Sequence, residues 1–374
     1  MKISILATFS TLVSTTALLS SPMLSIGEHA DLYAQVSGSV AYTDNLTLDE
    51  SNELDDFRFI VTPGVLLEVG RGLTNLNGSL SVNYGLVRYA DNTVFDTELW
   101  NVVGDLNFNG SRYTAGVVGG YVEKQQNEND VNADKTLILQ KTGFAGANIK
   151  YTLSEKFALG VKGRFDNITY DGGDNVDRDL YTVPVDVYYE LTPKLDATAG
   201  FRYRQTDVQN GQDSDDYFYN VGLTGELTEK LSTTFKVGYT TRDFTGGRSS
   251  EGTMTLNSAT TFDATERGTL RFYLNRDFVT GGTGSSIEQT GVRVTYFYLI
   301  SPRLTADFTG GSTYGDYQTP PREDNTWLGR LGGSYRFNSL WSMNAFYTFR
   351  DNDSNTNGAS YTENMVQLGA NFRY

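Results

Sequence analysis

The sequence predicts an all-β chain: one antiparallel transmembrane β-barrel of about 18 strands, behind an N-terminal leader. Three observations carry this expectation. Long stretches alternate apolar and polar residues with period 2, which gives each strand two unlike faces. Turn signals recur at intervals of about 40 residues, as hairpins of two membrane-crossing strands require. The last stretch, V-Q-L-G-A-N-F-R-Y (366–374), alternates to its final residue and stops on an aromatic.

Composition agrees with this class. Of the 374 residues, 39% are apolar and 13% aromatic, with 24 Tyr, 21 Phe and 39 Gly. A soluble core of this size would want more Leu and Ile, whereas a barrel with a wet interior needs only one apolar face per strand. Cysteine is absent, which excludes a disulfide framework, a thiol nucleophile and a Cys-based metal site. The formal net charge of −15 argues against nucleic acid, whose phosphates want the opposite sign. The single histidine, His29, stands close to the leader, so no Ser-His-Asp or His-metal site is available inside a barrel.

Taken in order, residues 1–30 read as a signal peptide, with Lys2 as a short basic start and a mildly apolar Ile3–Leu19. Ser25, Ala30 and Ala34 compete as the cleavage position, and a short membrane anchor is the other reading. Residues 31–374 form the barrel domain. No later stretch approaches 18 apolar residues in a row, so a membrane location has to come from strands. Strands are expected at 33–44, 56–70, 75–90, 96–109, 112–125, 135–151, 156–170, 178–191, 194–207, 215–228, 231–244, 249–263, 267–279, 286–300, 303–316, 324–338, 341–352 and 360–374. Tight turns fall at Arg71-Gly72, Asn109-Gly110, Leu153-Ser154, Thr192-Pro193, Thr228-Glu229, Thr265-Glu266, Ser301-Pro302 and Asn338-Ser339, several of them turn dipeptides. Longer, acidic loops alternate with them, which sets both termini on the tight-turn side.

The two faces are legible along each strand. Leu195, Ala197, Ala199, Phe201 and Tyr203 alternate with Asp196, Thr198, Gly200, Arg202 and Arg204. Leu231, Phe235, Val237 and Tyr239 alternate with Thr234, Lys236 and Gly238. Charges almost never occupy the apolar register, as a lipid-facing row requires. A soluble sandwich would alternate too, with its apolar face turned inward. Strand length and number favour the barrel. Trp341 and Phe337 flank a tight turn, while Trp100, Trp327 and Tyr314 lie toward the loops, as in aromatic girdles.

Two stretches carry a resemblance. The terminal aromatic row, Phe372 and Tyr374, resembles the C-terminal assembly signal of bacterial outer-membrane barrels. The first three strands contain S-V-A-Y-T-D-N-L-T-L (39–48), F-R-F-I-V-T-P-G-V-L-L-E-V-G-R-G (57–72) and G-S-L-S-V-N-Y-G-L-V-R-Y-A-D (78–91). Tyr42, Asp44 and Asn45, then Pro63-Gly64, then Tyr84 and Tyr89, make the chain resemble the "putative β-barrel porin 2" group, which includes barrels associated with exopolysaccharide secretion. The resemblance implies a Gram-negative outer-membrane pore for hydrophilic solutes or polysaccharide, with periplasmic termini. It implies contact with lipid, lipopolysaccharide and the barrel assembly machinery, and brings no catalytic residue with it. A non-conducting structural or surface-binding barrel is the alternative.

The candidate site is the inward face. Its basic members include Arg202, Arg204, Lys236, Arg271, Arg293, Arg330, Arg336, Arg350 and Arg373. From residue 267 onward few acids oppose them, chiefly Asp307 and Asp277, so one arc of the wall is expected to be basic. Either the arginines line a selective pore, or they pair with acids on neighbouring strands. Acidic pairs such as Asp215-Asp216 and Asp351-Asn352-Asp353 read as solvated loop residues. No cofactor is expected. The loop acids, among them Asp49, Glu50, Glu128, Asp130, Asp134, Asp174 and Asp213, suit either plain solubility or divalent cations.

Overall fold

The computed structural model describes residues 21–127, 136–318 and 320–374. The first part of the leader, residues 1–20, and the acidic loop with Glu128, Asp130 and Asp134 lie outside the described residues. Period-2 alternation has produced β-structure throughout. The strands are β1 (Leu24–Ile26), β2 (Ala30–Thr43), β3 (Asp56–Val69), β4 (Leu76–Tyr89), β5 (Thr97–Asn109), β6 (Tyr113–Asn127), β7 (Leu137–Thr152), β8 (Phe157–Asp171), β9 (Arg178–Thr192) and β10 (Leu195–Val208). They continue as β11 (Ser214–Thr228), β12 (Leu231–Phe244), β13 (Glu251–Thr265), β14 (Gly268–Thr280), β15 (Ser286–Ser301), β16 (Leu304–Gln318), β17 (Pro321–Arg336), β18 (Trp341–Ser354) and β19 (Tyr361–Arg373).

Among the described residues these make one sheet of nineteen strands, antiparallel at every pairing. The short β1 pairs only with the start of β2, from Leu24↔Leu32 to Ile26↔Ala30. The remaining eighteen close on themselves, because β19 pairs with β2 from Met365↔Thr43 to Arg373↔Gln35. Closure removes the free edges that an open sheet would leave. Beyond the last strand, Ala34 N donates to Tyr374 O (2.7 Å) and Tyr374 N to Ala34 O (2.9 Å). Both ends of the barrel domain therefore lie at the short-turn end, where Gly70 N also reaches His29 O.

The outward register is apolar and exposed: Phe57, Phe59, Val61, Tyr219, Val221, Tyr239, Leu331 and Leu368 all present more than a third of their surface. Rings collect near the strand ends, with Trp341 packed at a tilt on Phe372 (centroids 4.8 Å apart) and Trp100 likewise on Tyr84 (4.7 Å). Two internal prolines leave their mark on the ladder. Between Val61↔Leu86 and Gly64↔Asn83, and between Val161↔Val185 and Arg164↔Thr182, pairing lapses. Pro63 and Pro184 lie in those gaps, where the missing N–H removes a rung.

Three expectations are corrected. Asp351, Asn352 and Asp353 belong to β18, because β17 keeps pairing with it as far as Asp324↔Ser354. Asp215 and Asp216 belong to β11, held in register with Arg242 and Asp243 of β12. In both places cross-strand pairing overrides the local turn preference of Asp and Asn. The loop end is also not uniformly long: β16 reaches Gln318 and β17 begins at Pro321.

Candidate functional site: the lumen wall and its mouth

The side chains opposite the exposed apolar rows face inward, and their charges interlock across strands. Lys236 Nζ meets Asp186 Oδ1 at 2.6 Å, and Lys150 Nζ meets Asp196 Oδ2 at 3.0 Å. Arg350 pairs with Glu363 at 3.1 Å and Arg373 with Glu68 at 2.8 Å. Arg336, near the short-turn end, donates to Pro302 O (3.1 Å). Many guanidinium groups also lie over aromatic faces: Arg202 over Phe218, Arg271 over Phe297, Arg330 over Phe346 and Arg373 over Tyr33, at 3.9–4.9 Å from the ring centroids. Such stacking holds a cation in place without neutralising it. Arg293 pairs in register with Gly311 of β16 and Tyr273 of β14, on the same inward face.

The loop-end mouth is narrowed by the β14–β15 hairpin. β13 stops pairing with β14 at Leu256↔Arg276, while β14 and β15 pair on to Thr280↔Ser286. The end of β14 therefore parts from β13 and leans inward over β10–β12, while β15 stays paired with β16 as far as Ile287↔Tyr317. The hairpin's tip docks on the β8–β9 connection and the start of β9: Arg178 Nη1 donates to Gly281 O (3.0 Å) and Val176 N to Gly282 O (2.8 Å). A Cβ at Gly282 would fall 1.8 Å from Asn175 Oδ1, so any larger residue there has to displace the Asn175 side chain.

An ionic cluster pins the hairpin's stem. Asp216, fully buried, accepts from Arg242 (Nε–Oδ1 2.6 Å) and from Arg204. Arg204 Nη2 also donates to Phe278 O (2.6 Å), and Arg242 Nη1 to Val279 O (3.2 Å). Asp277 completes the set at 2.8 Å from Arg202 and 3.5 Å from Arg204. The Phe278 ring is buried beneath Arg242, 5.0 Å away. Arg202 and Arg204 were legible as inward cations. Arg242, Asp216 and the hairpin contact were not, since only the register brings them together.

A second segment covers the opposite side. Residues 44–55 turn inward so that Leu46 packs on Val87 and Tyr89, with Ile60, Leu99 and Phe95 around it. Asn127 Nδ2 donates to Leu46 O (2.5 Å). Asn45, fully buried, bridges Asp49 O (2.8 Å) and Thr362 O (3.0 Å). The loop carboxylates are turn caps: Asp49 Oδ1 accepts from Ser51 N and Asn52 N, Asp213 from Val208 N, and Asp177 from Tyr170 N. Among the described residues no three His, Asp or Glu side chains are grouped to hold a metal ion.

A closed eighteen-stranded barrel with an apolar outer belt and a charged, polar inner wall is an outer-membrane β-barrel of the pore class. The sequence profile described as "Putative beta-barrel porin 2" matches residues 32–374, and the chain belongs to that family. Among solved structures, the outer-membrane protein OpdK of Pseudomonas aeruginosa is similar with a TM-score of 0.51 and 10% identity, over 92% of this chain and 99% of that one. OccK5 (OpdH) of the same organism is similar with a TM-score of 0.51 and 12% identity, over 92% and 98%. At these identities the likeness is one of fold. No curated protein matches the chain.

Proposed function

We propose that this barrel lets small hydrophilic solutes diffuse across the outer membrane with no chemical step, and that it prefers anions. The observation that carries the preference is the inward arc of β14–β19, where Arg271 and Arg330 are held by rings rather than by acids. Guanidinium groups stay charged at any working pH, so the arc keeps its field. The hairpin leaning into the mouth favours small solutes over a polysaccharide chain. The short turns and both termini face the periplasm, the barrel assembly machinery reads Phe372 and Tyr374 on the last strand, and the capped acidic loops meet lipopolysaccharide phosphates through divalent cations.

Planar bilayers test this reading. The purified barrel should give discrete current steps, and a salt gradient should give a reversal potential of anion-preferring sign. Arg330→Ala/Arg336→Ala should shift that potential toward cations. A cation-preferring wild type whose potential is unchanged in the double variant would show that the arc plays no part.

A further inference from the structure

The inward register of β14–β18 assembles side chains that the sequence scatters. Arg271↔Thr295, Thr295↔Thr309 and Thr309↔Arg330 form one continuous row around the wall. The neighbouring row runs Phe297↔Asp307, Asp307↔Gly332 and Gly332↔Phe346. The two rows interlock. Arg271 lies 4.9 Å from the Phe297 ring centroid and Arg330 3.9 Å from that of Phe346. Between the arginines the Thr295 and Thr309 hydroxyls touch at 3.0 Å. Gly332 lets the second row close up, since a Cβ there would come 2.6 Å from Asp307 Oδ1 and 2.7 Å from the Phe346 ring.

The electrostatics of this patch differ from the rest of the wall. Arg202, Arg204, Arg242, Arg350 and Arg373 all meet carboxylates. Arg271 and Arg330 meet none within ion-pair distance among the described residues, and ring stacking leaves their N–H donors unspent. A guanidinium fork matches a carboxylate bidentately. Asp307, one row away, accepts only, so it repels a second acid group on a solute and favours a hydroxyl there. The hydroxyl pair serves the same purpose.

We propose that this station binds hydroxylated carboxylates of the sugar-acid class: the carboxylate on Arg271 or Arg330, the hydroxyls on Asp307 and the Thr295–Thr309 pair. The two arginines stand three strands apart, roughly 14 Å along the wall. A sugar acid therefore engages one at a time, and the second offers the next foothold. Weak successive sites of this kind suit a conducting pore. The assignment rests on the pore reading only for how the solute arrives; binding itself needs no current.

The test uses the full barrel refolded in detergent, with heat-modifiable gel mobility as the check of folding. Calorimetric titrations with glucuronate, glucose and succinate at low salt read the site. Glucuronate should bind, glucose should not, and succinate should bind more weakly. Arg271→Ala/Arg330→Ala should weaken glucuronate at least about tenfold, the loss of charge-assisted hydrogen bonds. Asp307→Asn should narrow the gap between glucuronate and succinate. Equal glucuronate affinity in the folded double variant, or no wild-type binding, overturns the proposal. Bilayer current on the same preparations separates the two readings. Current without glucuronate binding removes the site and keeps the pore; binding without current does the reverse.

Discussion

Lys236 shows how much a single inward position depends on its register partner. Read along the chain, it is one lumen charge among many, free to be reversed. In the fold its ammonium sits 2.6 Å from Asp186, whose side chain is only 7% exposed. Lys236→Glu would set a second carboxylate against a buried one. Breaking a buried pair costs roughly 3–5 kcal/mol, and partial exposure of Lys236 lowers this to about 1–3 kcal/mol. The urea midpoint of the refolded barrel should fall accordingly, and an unmoved midpoint would show that the pair contributes nothing. Asp216→Asn is the sharper case, since both Asp216 and Arg242 are almost wholly buried. It should cost about 3–5 kcal/mol, because the buried Arg242 loses its counter-charge and Arg204 keeps only the more distant Asp277. Asp216 looked like a solvated loop acid because nothing local states which arginine an acid will face. That is decided by cross-strand register, and a shift of one residue would turn it outward.

Individual strands were legible because the signals that make them are local: alternation, turn dipeptides and β-branched or aromatic residues. The path of the β14–β15 hairpin was not. The alternation breaks at Asn275-Arg276-Asp277 and Phe278-Val279, but the break does not say where the strand goes; distant groups, Arg204 and Arg242, hold it inward. The element-scale prediction follows from that geometry. Replacing residues 279–287 with Asn-Gly would join the stem through a tight two-residue hairpin turn, with Phe278 and Glu288 still paired. The tip and its contacts to Val176 and Arg178 would be gone. Single-channel conductance should rise severalfold while heat-modifiable mobility stays normal. An unchanged conductance in the trimmed barrel would show that the tip does not narrow the path.

At the scale of the whole molecule, alternation alone could not distinguish a barrel from a sandwich, since either arrangement separates two faces. The even strand number and the aromatic end favoured closure, and the closing seam explains why the first and last strands carry such distinct residues. At the loop end, Asp44 accepts from Asn364 N (2.7 Å) and Asn364 Nδ2 (2.8 Å), while Thr43 Oγ1 donates to Glu363 Oε1 (3.1 Å). At the turn end, the paired Ala34–Tyr374 bonds hold the seam, and beside it Phe372 packs on Trp341 of β18. The two ends should fail differently. Asp44→Ala removes a side-chain clasp beside an intact ladder and should lower stability by about 1–3 kcal/mol, leaving a closed barrel. Deleting Phe372–Tyr374 removes rungs of the ladder itself and exposes two edges within the apolar layer, where unpaired backbone cannot be hydrated. That deletion should abolish the compact, heat-modifiable species in outer-membrane fractions. Compact barrel at wild-type yield after the deletion would show that the rest of the seam closes the sheet unaided.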